Sequence, residues 1–308
     1  MRSKAKKQII LMSGVSDTTA PTVVITCDVS SPSAAATFNY TITFSEVVTG
    51  FEVGDFGITG GSKGALGGSG AVYTCAVTPT GNAPVVATVA DGVAQDAAGN
   101  LNTAATPLSI GIIVTLTYQP DNTTGVDTYL DSGSPDTSQA NNTQIRVIGT
   151  RRGLIKFPIS LGAGASVQSG VLSVWQHETA PANLTISIAR ILAANSAWNE
   201  SSTWNYKTPT SERWAGDTAS DGGADAGCSV SGTDFSSTAL GTFNHVSTDP
   251  DGTKYDVSLN ASELSAMCAN NSGLAIWVAG RVDFTLRSCE HATAAERPKL
   301  VIIVHYLP

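Results

Sequence analysis

Residues 21–29, PTVVITCDV, alternate apolar and polar side chains, which puts Val23, Ile25 and Cys27 on one face of an extended strand. The same alternation continues in FNYTITFSEVV (38–48), FEVGDFGIT (51–59), AVYTCAVTP (71–79) and VVATVA (85–90), each followed by Gly, Asn, Asp or Pro. Five short runs broken by turn residues predict an antiparallel β-sandwich. A second series begins past Val114: TQIRVIG, GLIKFPIS, GVLSVWQH, LTISIARI, YDVSL, GLAIWVA, VDFTLRS and KLVIIVHY. None of these has a helical period, and ASELSAMC (261–268), with Asn260 or Ser262 as cap before Glu263, is the one short helix predicted. The expected class is all-β, a smaller sandwich followed by a larger one.

Composition agrees with this reading. Only 14% of the 308 residues are charged, well below the roughly 25% usual in soluble domains, which argues against bundles and coiled coils. Net charge is −8, and four of the 17 basic residues (Arg2, Lys4, Lys6 and Lys7) sit in the first seven positions, leaving 13 against 25 acidic ones. So acidic a body excludes a general nucleic-acid binder, because phosphate contacts need a basic surface. The apolar runs Ile9–Met12, Ile112–Val114 and Leu300–Val304 are too short to insert in a membrane, which takes about 20 residues. The start of the chain also lacks the apolar core of roughly 7–15 residues of an export signal.

Residues 18–114 resemble a bacterial Ig-like domain. The likeness is carried, in order, by TAPTVVIT, TFSEVVTGFEVGDFGITGG, YTCAVTPTG and VADGVAQDAAGN. It implies a spacer or display platform. In DAAGN, Asp96 is placed to accept local backbone N–H groups while Gly99 and Asn100 supply a tight turn. Residues 115–308 resemble the DNRLRE, or disaggregatase-related, family, a jelly-roll module classed near carbohydrate-binding modules. DTYLDSG, RRGLIKFPIS, ASVQSGVLSVW, ARILAANSAWNESSTWNYKTP and FTLRSCEHATAAERPKLVIIVHY carry that likeness, and a long Gly- and Asp-rich loop excursion at 207–254 departs from it. Residues 1–17 remain as a basic N-terminal tail, expected to be flexible and to serve in docking.

No nucleophile elbow, phosphate loop or metal-ligand spacing links His177, His245, His291 and His305, so the chain is expected not to be an enzyme. Trp198 and Trp204, flanking Glu200, fall in the family motif and are expected in the core. Strand parity gives a glycan-binding candidate. Leu172 and Val174 leave Trp175 and His177 on the opposite face; Leu274, Ile276 and Val278 leave Trp277; Ile155, Phe157 and Ile159 leave Lys156. Rings that stack on sugars beside polar groups are how such a platform is composed, unless the 207–254 excursion, the first domain or a subunit interface covers it. Trp214 is added for its polar setting, SERWAGD.

No motif calls for a cofactor, and structural calcium stays open through Asp249 and Asp251 of DPDG, through Asp217, Asp221 and Asp225, and through Glu46, Asp55, Asp91 and Asp96. An EF-hand starting at Asp249 would place Asn260 where a bidentate Glu is needed, and a Pro-containing turn explains DPDG as well. Cys27 and Cys75 share inward parity and either bridge two strands or lie as buried thiols.

Two modules of extracellular type without an export signal lead to the expectation of a phage virion surface protein. The tail or first domain would dock on capsid or tail proteins, with the second domain turned outward to cell-surface glycan. Such a protein would be present in several copies or as a homo-oligomer, with no nucleic-acid partner and no membrane insertion. The alternative is a secreted or cell-surface bacterial adhesin or a glycan-binding accessory module.

Overall fold

The computed structural model describes residues 16–208, 211–218 and 226–308. They form two compact units, one ending at Ile112 and one spanning Ile113–Tyr306. The tail residues Arg2, Lys4, Lys6 and Lys7, and Asp221 and Asp225, lie outside the described residues.

In the first unit, strands β1 (Val23–Cys27), β2 (Phe38–Phe44), β3 (Phe56–Thr59), β4 (Gly61–Ser69), β5 (Val72–Pro79), β6 (Val85–Val89) and β7 (Leu108–Ile110) form two sheets. Their orders are β1-β2-β5-β4 and β3-β6-β7. The alternating side chains do what the pattern requires: Phe38, Tyr40, Ile42 and Phe44 of β2 are buried with Tyr73, Cys75 and Val77 of β5. Tyr40 meets Phe56 of the facing sheet edge-on at 5.8 Å, and its hydroxyl donates to the Val85 carbonyl at 3.2 Å. At the DAAGN turn, Asp96 Oδ1 accepts from the N–H groups of Ala98 and Asn100.

The second unit holds β8 (Ile112–Tyr118), β9 (Val126–Asp131), β10 (Gln144–Val147), β11 (Arg151–Lys156), β12 (Ala165–Trp175), β13 (Leu184–Arg190), β14 (Tyr206–Thr208), β15 (Glu212–Arg213), β16 (Gly241–His245) and β17 (Lys254–Ser258). Helix α1 (Ala261–Asn270) follows, then β18 (Leu274–Val278), β19 (Phe284–Arg287) and β20 (Lys299–Tyr306). Asn260 caps α1, its side chain accepting from the N–H groups of Ser262 and Glu263.

The two main sheets run β17-β12-β20-β8 and β16-β13-β18-β11-β9. With β9 set aside as an added edge, four strands of each interleave in chain order as the two Greek keys of a jelly roll. Ile155, Ile186, Ile188, Leu274, Ile276 and Val278 line the inner face of the larger sheet, and Leu172, Val174, Leu300, Ile302 and Val304 that of the smaller; all are buried.

The larger sheet is buried on its other face too. Leu130, Leu154, Ala189 and Ala275 alternate with the inner set and form a second core with Ile191, Trp198, Trp204, Trp214, Ala226, Cys228 and Phe235. The chain after β13 therefore lies over the sheet as an extra layer. The 207–254 stretch, read from sequence as a loop, supplies part of that layer and also β15 and the edge strand β16, which pairs with β13. Asp234, fully buried, anchors the layer: Oδ1 accepts from Gly216 N–H at 2.8 Å and Asn195 Nδ2 at 3.0 Å, and Oδ2 from Val230 N–H at 3.0 Å.

Candidate functional site

The five residues of the expected glycan platform do not share one face. Trp175 is on β12 and Trp277 on β18, which belong to different sheets of the sandwich. Parity within a strand fixes inside against outside, but not which sheet a strand joins.

Trp175 is 8% exposed, with the Lys254 ammonium over its ring at 5.6 Å. Trp214, 1% exposed, donates from Nε1 to the Thr203 carbonyl at 3.0 Å. Its polar neighbours in sequence turn out to build the covering layer, so it is a core residue. Lys156 is held to the carbonyls of Ser196 and Trp198 at 2.8 and 2.7 Å, its Nζ 4.7 Å from the Trp198 ring centre. Burial pushes its pKa down to about 8. His177 packs edge-on against His291 at 6.1 Å, with its Nδ1 closed off and without a hydrogen-bond partner among the described residues.

Trp277 is the exception. Four of the five tryptophans are buried, whereas Trp277 is partly exposed at the margin of the covering layer. Phe235 packs on it at 4.8 Å between ring centres, and the Arg152 guanidinium stands 6.0 Å from its centre. Arg152 Nε is sealed from solvent without a partner, and burial lowers the pKa of the group. The arrangement offers a partly exposed aromatic ring beside a cation that no carboxylate neutralises among the described residues.

The DPDG acids are turned to other uses. Asp249 Oδ2 accepts from Val246 N–H at 2.9 Å and from the Tyr255 hydroxyl at 3.0 Å, while Asp251 pairs with Arg287 at 2.8 Å. They do not converge on one point as calcium ligands must. In the first unit Asp17, Glu46 and Asp96 do come together, whereas Asp55 accepts from Glu52 N–H at 2.8 Å. Cys27 and Cys75 are not bonded: Cys27 lies opposite Tyr40, and Tyr40 opposite Cys75. A whole strand separates them, about 9–10 Å at the usual sheet spacing, beyond disulfide reach.

One cluster escaped the reading of the sequence. Asp127 on β9 and Cys289 and Glu290 after β19 bring ligand atoms within 4.8 Å of one another. Burial, with the negative charges of Glu290 and Glu200, pushes the Asp127 carboxyl well above the usual carboxylate range. The signal lay in two motifs, DTYLDSG and RSCEH, more than 150 residues apart, with nothing in spacing to join them.

A hollow of about 500 Å³ between the 159–167 loop and α1 is lined by Leu161, Ser265, Cys268 and Asn270 and has no carboxylate or imidazole in its wall. Among the described residues no helix is long and apolar enough to cross a membrane.

Fold and surface together define a protein of two β-sandwich modules. Residues 17–112 match the family model of a bacterial Ig-like domain. No curated protein matches the chain. Among solved structures, the adhesin InvE of Yersinia pseudotuberculosis aligns at 14% identity with a TM-score of 0.21, over 87% of this chain and 58% of its own. The chain thus spans a little over half of that protein, and a superposition so loose supports no further comparison.

Proposed function

We propose that this is a non-enzymatic, adhesin-type surface protein in which the Ig-like unit serves as spacer or docking module and the jelly roll makes the outward contact. The observation that carries the reading is the partly exposed Trp277 beside Arg152, which no carboxylate among the described residues neutralises. An indole ring packs through its π face on the apolar face of a sugar, and a guanidinium pairs with carboxylate or sulfate. The ligand class that fits both is an anionic glycan.

The finer form of the reading puts the protein on the surface of a phage particle, bound to capsid or tail proteins. Its support is the concentration of basic residues at positions 2–7 against two acidic modules, a charge distribution suited to salt-sensitive docking. A secreted or cell-surface adhesin, or an accessory module of a polysaccharide-degrading system, is the competing placement.

Retention on immobilised uronic-acid polysaccharide tests the contact. Trp277→Ala, with an unchanged melting midpoint, is expected to weaken retention at least tenfold, and a neutral glucan should not be retained by either protein. Equal retention of variant and parent would refute the contact. Mass spectrometry of particles purified from the source culture tests the placement: stoichiometric recovery on particles supports the virion, and recovery only from cell walls or supernatant supports the adhesin.

A further inference from the structure

Burying acids side by side is costly unless something positive, or a proton, stands between them. The Asp127 cluster poses that problem acutely. Asp127 is 3% exposed and Cys289 fully buried. Asp127 Oδ2 accepts the Cys289 N–H at 2.6 Å, and Cys289 Sγ lies 3.1 Å from Glu290 Oε1. Glu290 Oε2, sealed from solvent, meets no hydrogen-bond partner among the described residues. The backbone also holds the thiol in place: a Cβ at Gly125 would come within 2.4 Å of Cys289 Sγ, so only glycine fits there.

We propose that Asp127, Cys289 and Glu290 bind one divalent transition-metal ion of the zinc type. Two carboxylates and a thiol, with ligand atoms within 4.8 Å of one another, supply three of the four positions of a tetrahedral ion. The orphaned Glu290 oxygen gains a partner, and the repulsion between the acids becomes shared attraction. The thiol decides the metal: calcium and magnesium take oxygen ligands, whereas a sulfur among carboxylates selects zinc, cobalt or their neighbours. On binding, the thiol proton and any carboxyl proton pass to the buffer, and a Zn–S bond replaces the S–H bond. The ion would tie the turn after β19 to β9. This site is independent of the Trp277 contact and stands or falls without it.

The test uses the full chain, stripped with chelator and titrated with Co²⁺, Zn²⁺ and Ca²⁺. One Co²⁺ per chain is expected, with a near-ultraviolet thiolate-to-cobalt charge-transfer band that Zn²⁺ displaces. Zn²⁺ should also raise the melting midpoint by about 5 °C at saturating excess. C289S should lose the band and E290Q the zinc shift, while C268S, altered in α1, keeps both. If C289S does not fold, E290Q alone decides by whether the zinc shift survives. Absence of the band, a band that persists in C289S, a zinc shift that persists in E290Q, or stabilisation by Ca²⁺ alone would each overturn the proposal.

Discussion

Replacing Trp214 by alanine separates the two roles its sequence context allowed. The indole is 1% exposed within the second core. Its removal from such a site costs about 3–5 kcal/mol through lost burial and the cavity left behind. The Thr203 carbonyl, which accepts from Trp214 Nε1 at 3.0 Å, would be left unpaired at a further cost of about 1–3 kcal/mol, of which relaxation and water recover part. A loss of about 4–5 kcal/mol is expected, lowering the midpoint of a unit of this size by roughly 10–15 °C. Fluorescence isolates that unit, because all five tryptophans lie between Trp175 and Trp277 and the Ig-like unit has none. Calorimetry should show the transition of the Ig-like unit unmoved. Trp214→Phe, which keeps most of the bulk but not the N–H, should fall between parent and alanine variant. A drop of less than about 3 °C in Trp214→Ala, or a loss of glycan retention with the midpoint intact, would refute the burial argument and return Trp214 to the surface.

Asn102 is the corresponding test of the Ig-like unit: its amide accepts from Val93 and Ala94 N–H and donates to the Ala90 and Thr103 carbonyls. Asn102→Ala strands four backbone groups and should lower the calorimetric transition of that unit by about 3 kcal/mol, with fluorescence unchanged. Lys156 gives a pH signature, since burial holds it near 8 in the folded protein against about 10.4 in the unfolded chain. Between those values the unfolded state binds more protons, so this residue makes stability rise as pH rises from about 8 to 10.5. The midpoint difference between parent and Lys156→Met should move in favour of the parent over that window, and a constant difference would show that the lysine titrates normally.

Much of the architecture could be read from alternation alone, because period two is a local property. PTVVITCDV and FNYTITFSEVV became β1 and β2, with Val23 and Ile25 buried and Cys27 half-buried at the strand's end, and ASELSAMC became α1 with Asn260 as its cap. Pairing order is not local. Cys27 and Cys75 have the right parity for a bridge, yet β2 runs between them. Asp127 and Glu290 stand in separate motifs that meet only once β9 and the turn after β19 are in place. GTFNH, too short and too polar to count as a strand by itself, becomes β16 because β13 offers it an edge.

The tryptophans carry the same lesson into function. Parity sorted the side chains of β11 and β18 into two faces correctly, but an outward face is a binding surface only if nothing lies over it. Here the chain that follows β13, including part of the segment that looked most like a loop, lies over it. Trp198 donates from Nε1 to the Ser272 carbonyl at 2.8 Å, Trp214 to that of Thr203, and Asp234 binds the segment to itself through buried backbone N–H groups. A largely polar stretch can form a cover of this kind because its few aromatic residues supply the burial and its acids satisfy the backbone. Coverage ends at the row of the sheet that holds Arg152 and Trp277, where Phe235 is the last ring of the layer. Any contact this face makes therefore starts at that margin, where Trp277 is partly exposed, and not over the tryptophans that the layer has taken into its core.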